Sequence, residues 1–261
     1  MSKPSLQAIT QALASTGLPT PSASFLTPIV NPTTASGGSQ RTPPLPALIA
    51  TVRHRLLSSS ICTPNILSQT TPFFPANITN PRTVELLLKG DTPVQVLDIE
   101  DLSKSKWEQI ELLEAERRGE MTKGREVIRV AAVPAEGESP SSASSQVVRS
   151  GNAGQGAPAP KVSNGPFKLL LQDVKGQKVY AFELKRVEKV GYPPTMSIGC
   201  KVMLKKGARV ARGMVLLEPE TCVVLGGKID GLDKEWRDGR EKRLREAVMG
   251  ERRDGTRGGE D

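Results

Sequence analysis

Phe167-Lys168-Leu169-Leu170-Leu171-Gln172 is followed by Asp173-Val174-Lys175-Gly176 and then by Tyr180-Ala181-Phe182-Glu183-Leu184-Lys185, and this stretch decides the fold. In the first arm Phe167, Leu169 and Leu171 fall on one face and Lys168 and Gln172 on the other. The Asp-Val-Lys-Gly run supplies a turn, with glycine where a positive φ is needed. The return arm places Tyr180, Phe182 and Leu184 on one face and Glu183 and Lys185 opposite. Alternation with period two, bounded by turn residues, marks half-buried antiparallel strands. The pattern continues downstream, with Cys200, Val202 and Leu204 against Lys201, Met203 and Lys205, then Val210 to Leu217 and Thr221 to Leu225. Short strands at even spacing predict a sandwich or a small barrel. The barrel is basic: residues 166–232 carry twelve cations against six acids, and so supply most of the net charge of +8.

Upstream, the first 62 residues read as three helices. Ser5 starts a helix with Leu6, Ile9 and Leu13 on one face, and Gly17 stops it. Ser22 caps a second carrying Phe25, Leu26 and Ile29. Pro44 and Pro46 fit the first turn of a third, on which Leu45, Leu48, Ile49, Val52 and Leu56 form a 3.6-period stripe. Three short helices bury little area alone, so the bundle is expected to dock on the barrel. Residues 63–83, rich in Pro, Thr and Asn, read as an extended connector, and the barrel is placed at 84–232. Strands are expected over Val84 to Leu88, Val94 to Ile99 and Arg125 to Val133. Between them lies a helix capped by Ser103, ended by Gly119 and carrying a Glu114–Arg118 pair.

Residues 134–165 differ in kind: 21 of the 32 are Pro, Ala, Gly or Ser. Such composition cannot offset the entropy of ordering, which predicts a disordered insertion within a barrel loop. After Lys228 the chain reads as helical and highly charged, with apolar contacts from Leu232, Trp236, Leu244 and Val248 and an interruption at Gly239, and residues 233–261 as a charged helix with a disordered end from Gly250. The chain has 45 Pro and Gly in 261 residues, no apolar run long enough to span a membrane and no secretory signal at its start.

Catalytic chemistry finds little support. One histidine, His54, flanked by arginines off the apolar stripe, and three dispersed cysteines, Cys62, Cys200 and Cys222, make neither a zinc site nor a nucleophile–base pair. Gly199-Cys200-Lys201 lacks the Walker spacing, and Gly226-Gly227-Lys228 lacks a dinucleotide fingerprint. Asp98, Glu100 and Asp101 lie close enough to hold Mg²⁺, yet fit a solvated strand end better. No enzyme, metal or cofactor is therefore expected. Recognition remains. Lys201, Lys205, Lys206, Arg209 and Arg212 are close in sequence, mostly face outward by parity and are candidate phosphate contacts, with a salt-dependent affinity. Phe167, Tyr180 and Phe182 are expected to fill the barrel, which leaves Tyr192 as the candidate stacking ring. Weak DNA contact is expected, with an autonomous single-strand DNA-binding protein as the alternative reading.

Gly213-Met214-Val215-Leu216-Leu217-Glu218-Pro219-Glu220, with Val224-Leu225-Gly226-Gly227-Lys228-Ile229-Asp230, resembles the end of the OB barrel of the RecQ-mediated genome instability protein 1 family. Leu169-Leu170-Leu171-Gln172-Asp173, Tyr180-Ala181-Phe182-Glu183, Pro193-Pro194 and Val94-Gln95-Val96-Leu97-Asp98-Ile99 support the resemblance, which covers roughly residues 5–245. It implies an α+β chain of the short fungal form: a three-helix bundle packed on one antiparallel OB barrel with a long loop insertion. It also implies a non-catalytic nuclear scaffold joining a RecQ helicase to type IA topoisomerase III. In that family the complex dissolves double Holliday junctions, and a loop after the first barrel strand reaches into the topoisomerase gate. The matching stretch runs from about Leu113 to Gly165. The resemblance therefore puts partner-contact candidates at Met121, Arg125 and Val127, and, in its most specific motif, at Pro219, Leu225, Gly226, Gly227 and Lys228. Animal members tend to have lysine where this chain has Glu218, so a contact through that lysine does not transfer.

Overall fold

The computed structural model describes residues 6–31, 43–118 and 165–257. The loop candidates Met121, Arg125 and Val127, the strand expected at 125–133 and nearly all of the 134–165 insertion lie outside them. Three helices come first: α1 (Leu6–Ser15), α2 (Ala23–Val30) and α3 (Leu45–Ser58). Each begins and ends for local reasons. Gly17, at φ 73°, lets the chain turn after α1; the Ser22 hydroxyl caps α2 by accepting from the Phe25 N–H; prolines occupy the first turn of α3. Ile9, Leu13, Leu26, Leu48, Val52 and Leu56 form their shared core.

Eight strands follow, interrupted once by a helix: β1 (Leu86–Leu87), β2 (Thr92–Asp101), α4 (Lys106–Arg117), β3 (Phe167–Gln172), β4 (Lys178–Glu183), β5 (Lys201–Leu204), β6 (Arg209–Ala211), β7 (Met214–Leu217) and β8 (Cys222–Gly226). They form one sheet in the order β1-β6-β7-β4-β3-β2-β5-β8, antiparallel except for the parallel β4–β7 pair. β5 and β6 stand five positions apart in that order, yet only residues 205–208 join them. Five strand spacings in a flat sheet are about 24 Å, whereas five residue steps reach about 18 Å at most. The sheet therefore curls, bringing the end of β5 to the start of β6 across a turn closed by the Ala208 N–H donating to the Lys205 carbonyl. Inside the curl lie Val94, Val96, Phe167, Leu169, Leu171, Val179, Ala181, Val202, Val215 and Leu217.

The structure revises several sequence expectations. The cap of α4 is Ser105, whose hydroxyl accepts from the Glu108 N–H, while Ser103 instead serves Asp101. Residues 63–83 do more than connect: Ile66 and Leu67 enter the bundle core and Phe74 and Ile78 the barrel core. The Phe74 N–H donates to Asp173 Oδ2 at 2.9 Å, tying this strap to the β3–β4 turn. At the carboxyl end, α5 (Asp230–Asp238) and α6 (Arg240–Arg257) break at Gly239 as the sequence suggests, but α6 continues well past Gly250. The described end of α4, from Glu111, belongs to a second unit, and there Glu114 pairs with Arg118, just past the helix, at 3.9 Å.

Candidate macromolecular interface

β4 turns the opposite way from its apolar parity. Val179, Ala181 and Glu183 point into the core, while Tyr180 is 49% exposed and Phe182 half-buried. Glu183 is the charged member of the inward face. Its carboxylate accepts from the Phe167 N–H (3.1 Å) and the Val187 N–H (2.9 Å) and pairs with Arg186 at 3.0 Å. A carboxylate buried against two backbone donors is satisfied in the interior, and on an alternating strand this face is shared by Val179 and Ala181 while the rings lie on the other. The expectation that Tyr180 and Phe182 fill the barrel is therefore wrong; of the three rings only Phe167 is buried inside.

The outward face of β3, β4 and β7 is consequently a built surface. Register aligns Leu170, Tyr180 and Met214 in one row and Lys168, Phe182 and Leu216 in the next. The Lys168 ammonium stands 5.0 Å from the Tyr180 ring centroid and 2.6 Å from Glu100 Oε2. Lys178 is exposed at the start of β4. Glu218, just past β7, sits between the Lys185 ammonium (3.1 Å) and Arg209 (3.2 Å). The Lys185 hydrogen bond, aided by Arg209, holds that carboxyl below its usual range, and Glu218 in turn raises Lys185. Rings and apolar side chains rimmed by cations suit either a protein partner or the bases and phosphates of a single strand.

The DNA candidates are not brought together. Lys201 is 2% exposed; its ammonium donates to the Gly199 carbonyl (2.6 Å) and the Leu57 carbonyl (3.2 Å), and burial pulls its pKa down to about 8. Parity is correct, since Lys201 does leave the barrel core, but the bundle covers that side. Tyr192 is likewise employed internally. It donates to Gln109 Oε1 (2.8 Å), accepts from the Asp101 N–H (2.9 Å) and packs edge-on against Phe167, and burial raises its pKa. Lys205 pairs with Asp91 at 3.0 Å, and Arg209 with Glu218. Lys206 and Arg212 are exposed, but they lie at opposite ends of β6. Arg212 (φ 51°) and Gly213 (φ 81°) make the tight β6–β7 turn, the geometry of a two-residue hairpin.

The motif candidates divide similarly. Pro219 is exposed, and Lys228 is exposed but paired with Asp230 (3.0 Å) and Asp233 (3.4 Å). Leu225 packs against the bundle core. Gly226 and Gly227 take φ of 90° and 92°, and a Cβ on Gly227 would strike the Leu57 carbonyl. The pair thus seats α3 on the sheet. Gln95, missed by sequence reading, completes that seam: its carbonyl accepts from the Ile61 N–H, and its amide donates to Ser60 and Gln172. Its signal was a polar residue between Val94 and Val96 in an apolar strand. The acidic cluster disperses: Asp98 accepts from the Trp236 indole at 2.5 Å, Glu100 pairs with Lys168, and Asp101 holds Ser103. Among the described residues no group of side chains is arranged to hold a metal, and no helix is long and apolar enough to cross a membrane.

Comparison with known proteins agrees with this architecture. The family model described as RMI1, N-terminal OB-fold domain, matches residues 74–240. RecQ-mediated genome instability protein 1 of Schizosaccharomyces pombe is 33% identical over 84 residues, which are 32% of this chain and 33% of that relative. The matched stretch is thus about a third of the relative's length. A curled, mixed sheet fronted by a helical bundle and matched to that model over most of its barrel settles the lineage: the chain belongs to the RMI1 family, whose N-terminal OB-fold domain it contains.

Proposed function

We propose that this chain is a non-catalytic scaffold and regulatory subunit of a nuclear complex between a RecQ-family helicase and type IA topoisomerase III, promoting decatenation and dissolution of double Holliday junctions. The carrying observation is the family match over residues 74–240, with a relative whose name ties it to RecQ-mediated genome instability. The topology is consistent with a loop-mediated role. β2 and β3 are antiparallel neighbours that a two-residue turn could join, yet residues 102–166 separate them. Such a segment regulates a gate by binding one gate state better than another, and so shifts its population. Met121, Arg125 and Val127 are the proposed contacts there, with Pro219 and the β3–β4–β7 face as the barrel's contribution. The test is co-purification of the full chain with topoisomerase III, followed by a decatenation assay with and without residues 134–165. Retained co-elution and an altered decatenation rate are expected. Failure of the full chain to co-elute overturns the reading.

A second reading rests on the outward placement of Tyr180 and Phe182 beside Lys168 and Lys178. That face could stack single-stranded DNA, with Lys206 and Arg212 as outlying phosphate contacts. A salt-titrated anisotropy measurement with a labelled oligothymidine separates the two. Nanomolar affinity at physiological salt that Tyr180→Ala removes would favour autonomous DNA binding over scaffolding.

A further inference from the structure

At the end of the sheet away from β8, β1 has a neighbour on one side only. It pairs with β6, and its other edge is unpaired among the described residues. The Leu88 N–H donates to the Ala208 carbonyl (3.0 Å), and the Leu88 carbonyl accepts from the Gly207 N–H (2.8 Å). Backbone groups alternate sides along an antiparallel strand. The N–H and carbonyl of Leu87 therefore point away from β6. Beside β1 lies a groove of about 490 Å³, between β1 and the strap, lined by Pro72, Phe73, Phe74, Leu86, Leu87 and Lys89 among others. That volume lies in the range of ligand pockets. Phe73 and Leu87 are each 53% exposed at its rim.

The strap is fixed in place. The Phe74 N–H is held by Asp173, Pro72 stands 3.3 Å from where a Cβ on Gly90 would lie, and the Arg212 N–H donates to the Thr83 carbonyl at 3.0 Å. The charge lining the groove is that of Lys89, and the Lys175 ammonium stands 5.4 Å from the Phe73 ring centroid. An unpaired strand edge beside an apolar, preformed slot is the geometry of strand addition, in which main-chain bonds supply affinity and alternate side chains supply specificity. We propose that this groove binds an extended segment of a partner protein, with apolar residues at alternate positions and a carboxylate opposite Lys89. A second copy of this chain fits less well. Its own strap flanks its β1, and a two-residue strand offers little of the roughly 800 Å² per partner that a stable interface needs.

The test uses the full chain, isotopically labelled, titrated with a short capped peptide that alternates isoleucine and threonine and carries one glutamate. Saturable amide shifts centred on Leu87, Lys89 and Phe73 are expected. Leu87→Pro removes the outward N–H at an edge position that tolerates proline, and is expected to weaken binding about tenfold. Replacing the peptide's glutamate by lysine weakens it as well. If Leu87→Pro does not fold, a peptide N-methylated at alternate residues makes the same test from the other side. Shifts that do not saturate, map elsewhere or persist unchanged with either variant overturn the proposal. So does concentration-dependent dimerisation through β1, which would assign the edge to a second copy.

Discussion

Strands β4 and β5 lie in the same curled sheet and both carry a charged residue among apolar ones, yet they treat it in opposite ways. β4 turns Glu183 inward, where backbone N–H groups receive it, and leaves Tyr180 outside. β5 turns Lys201 outward, but that outside is roofed by the end of α3, so the lysine is as buried as the glutamate. The lesson concerns what alternation can tell. Period two states which residues share a face; it does not state which face is the core, nor whether the other face meets water. Those depend on buried hydrogen bonds in one strand and on a docked bundle in the other.

The largest expected effect comes from breaking the β4 arrangement. Glu183→Ala strands two buried N–H donors, those of Phe167 and Val187. At about 2 kcal/mol for each orphaned donor, the loss of unfolding free energy is roughly 4 kcal/mol in a chemical denaturation series. Glu183→Gln, which keeps an acceptor oxygen, retains about half of that. Equal stability of both variants and the parent would mean that something else sets the face of β4.

The bundle side breaks at its closest approach. Gly227→Ala meets the Leu57 carbonyl and also carries the strain of φ 92°, whereas Gly226→Ala has open space and carries only the strain of φ 90°. The expected losses are about 3 and about 1 kcal/mol respectively, read as thermal midpoints. If the two substitutions prove equal, α3 is not seated on this turn. On the bare side, Tyr180→Ala should leave the midpoint within about 0.5 kcal/mol of the parent. If this ring anchors a partner, its loss weakens complex formation by about 2 kcal/mol in a pull-down or calorimetric titration.

Much of this architecture was legible in the sequence. The helices announced themselves through Gly17, Ser22 and Pro44, and the β3–β4 hairpin through Asp173 and Gly176. These are local signals, in which a cap or a positive φ is fixed by the residue that stands there. The site was harder to read because its determinants act over long range. Asp173 reaches Phe74 across the strap, Tyr192 reaches Gln109 and Asp101, and Lys201 reaches Leu57. Each looked like a surface residue or a turn residue, because its partner is remote in the chain. Glu183 misled in another way: a lone carboxylate at an apolar position reads as solvent-facing unless its donors are known.

The subtlest difference between the two strands is electrostatic, and pH isolates it. Burial lowers Lys201 from 10.5 to about 8, so the unfolded chain holds this proton more tightly than the folded one. Wherever the unfolded state binds more protons, stability rises with pH. The gain from Lys201 therefore starts near pH 8 and continues towards 10.5. The thiols act in the opposite sense, because burial lifts Cys200 to about 11 and Cys222 to about 12 from 9.0, so the unfolded chain loses those protons first. Below pH 9 the lysine dominates, and above it the cysteines reverse the slope. Between pH 7 and pH 9 the Lys201 contribution to unfolding free energy should rise by about 1 kcal/mol. Lys201→Met keeps most of the aliphatic bulk beneath α3, removes the ionisable group and should flatten that rise. A parent and a variant with parallel pH profiles would show that the ammonium is solvated and that α3 does not roof β5, and the contrast between the two strands would then fail at its covered end.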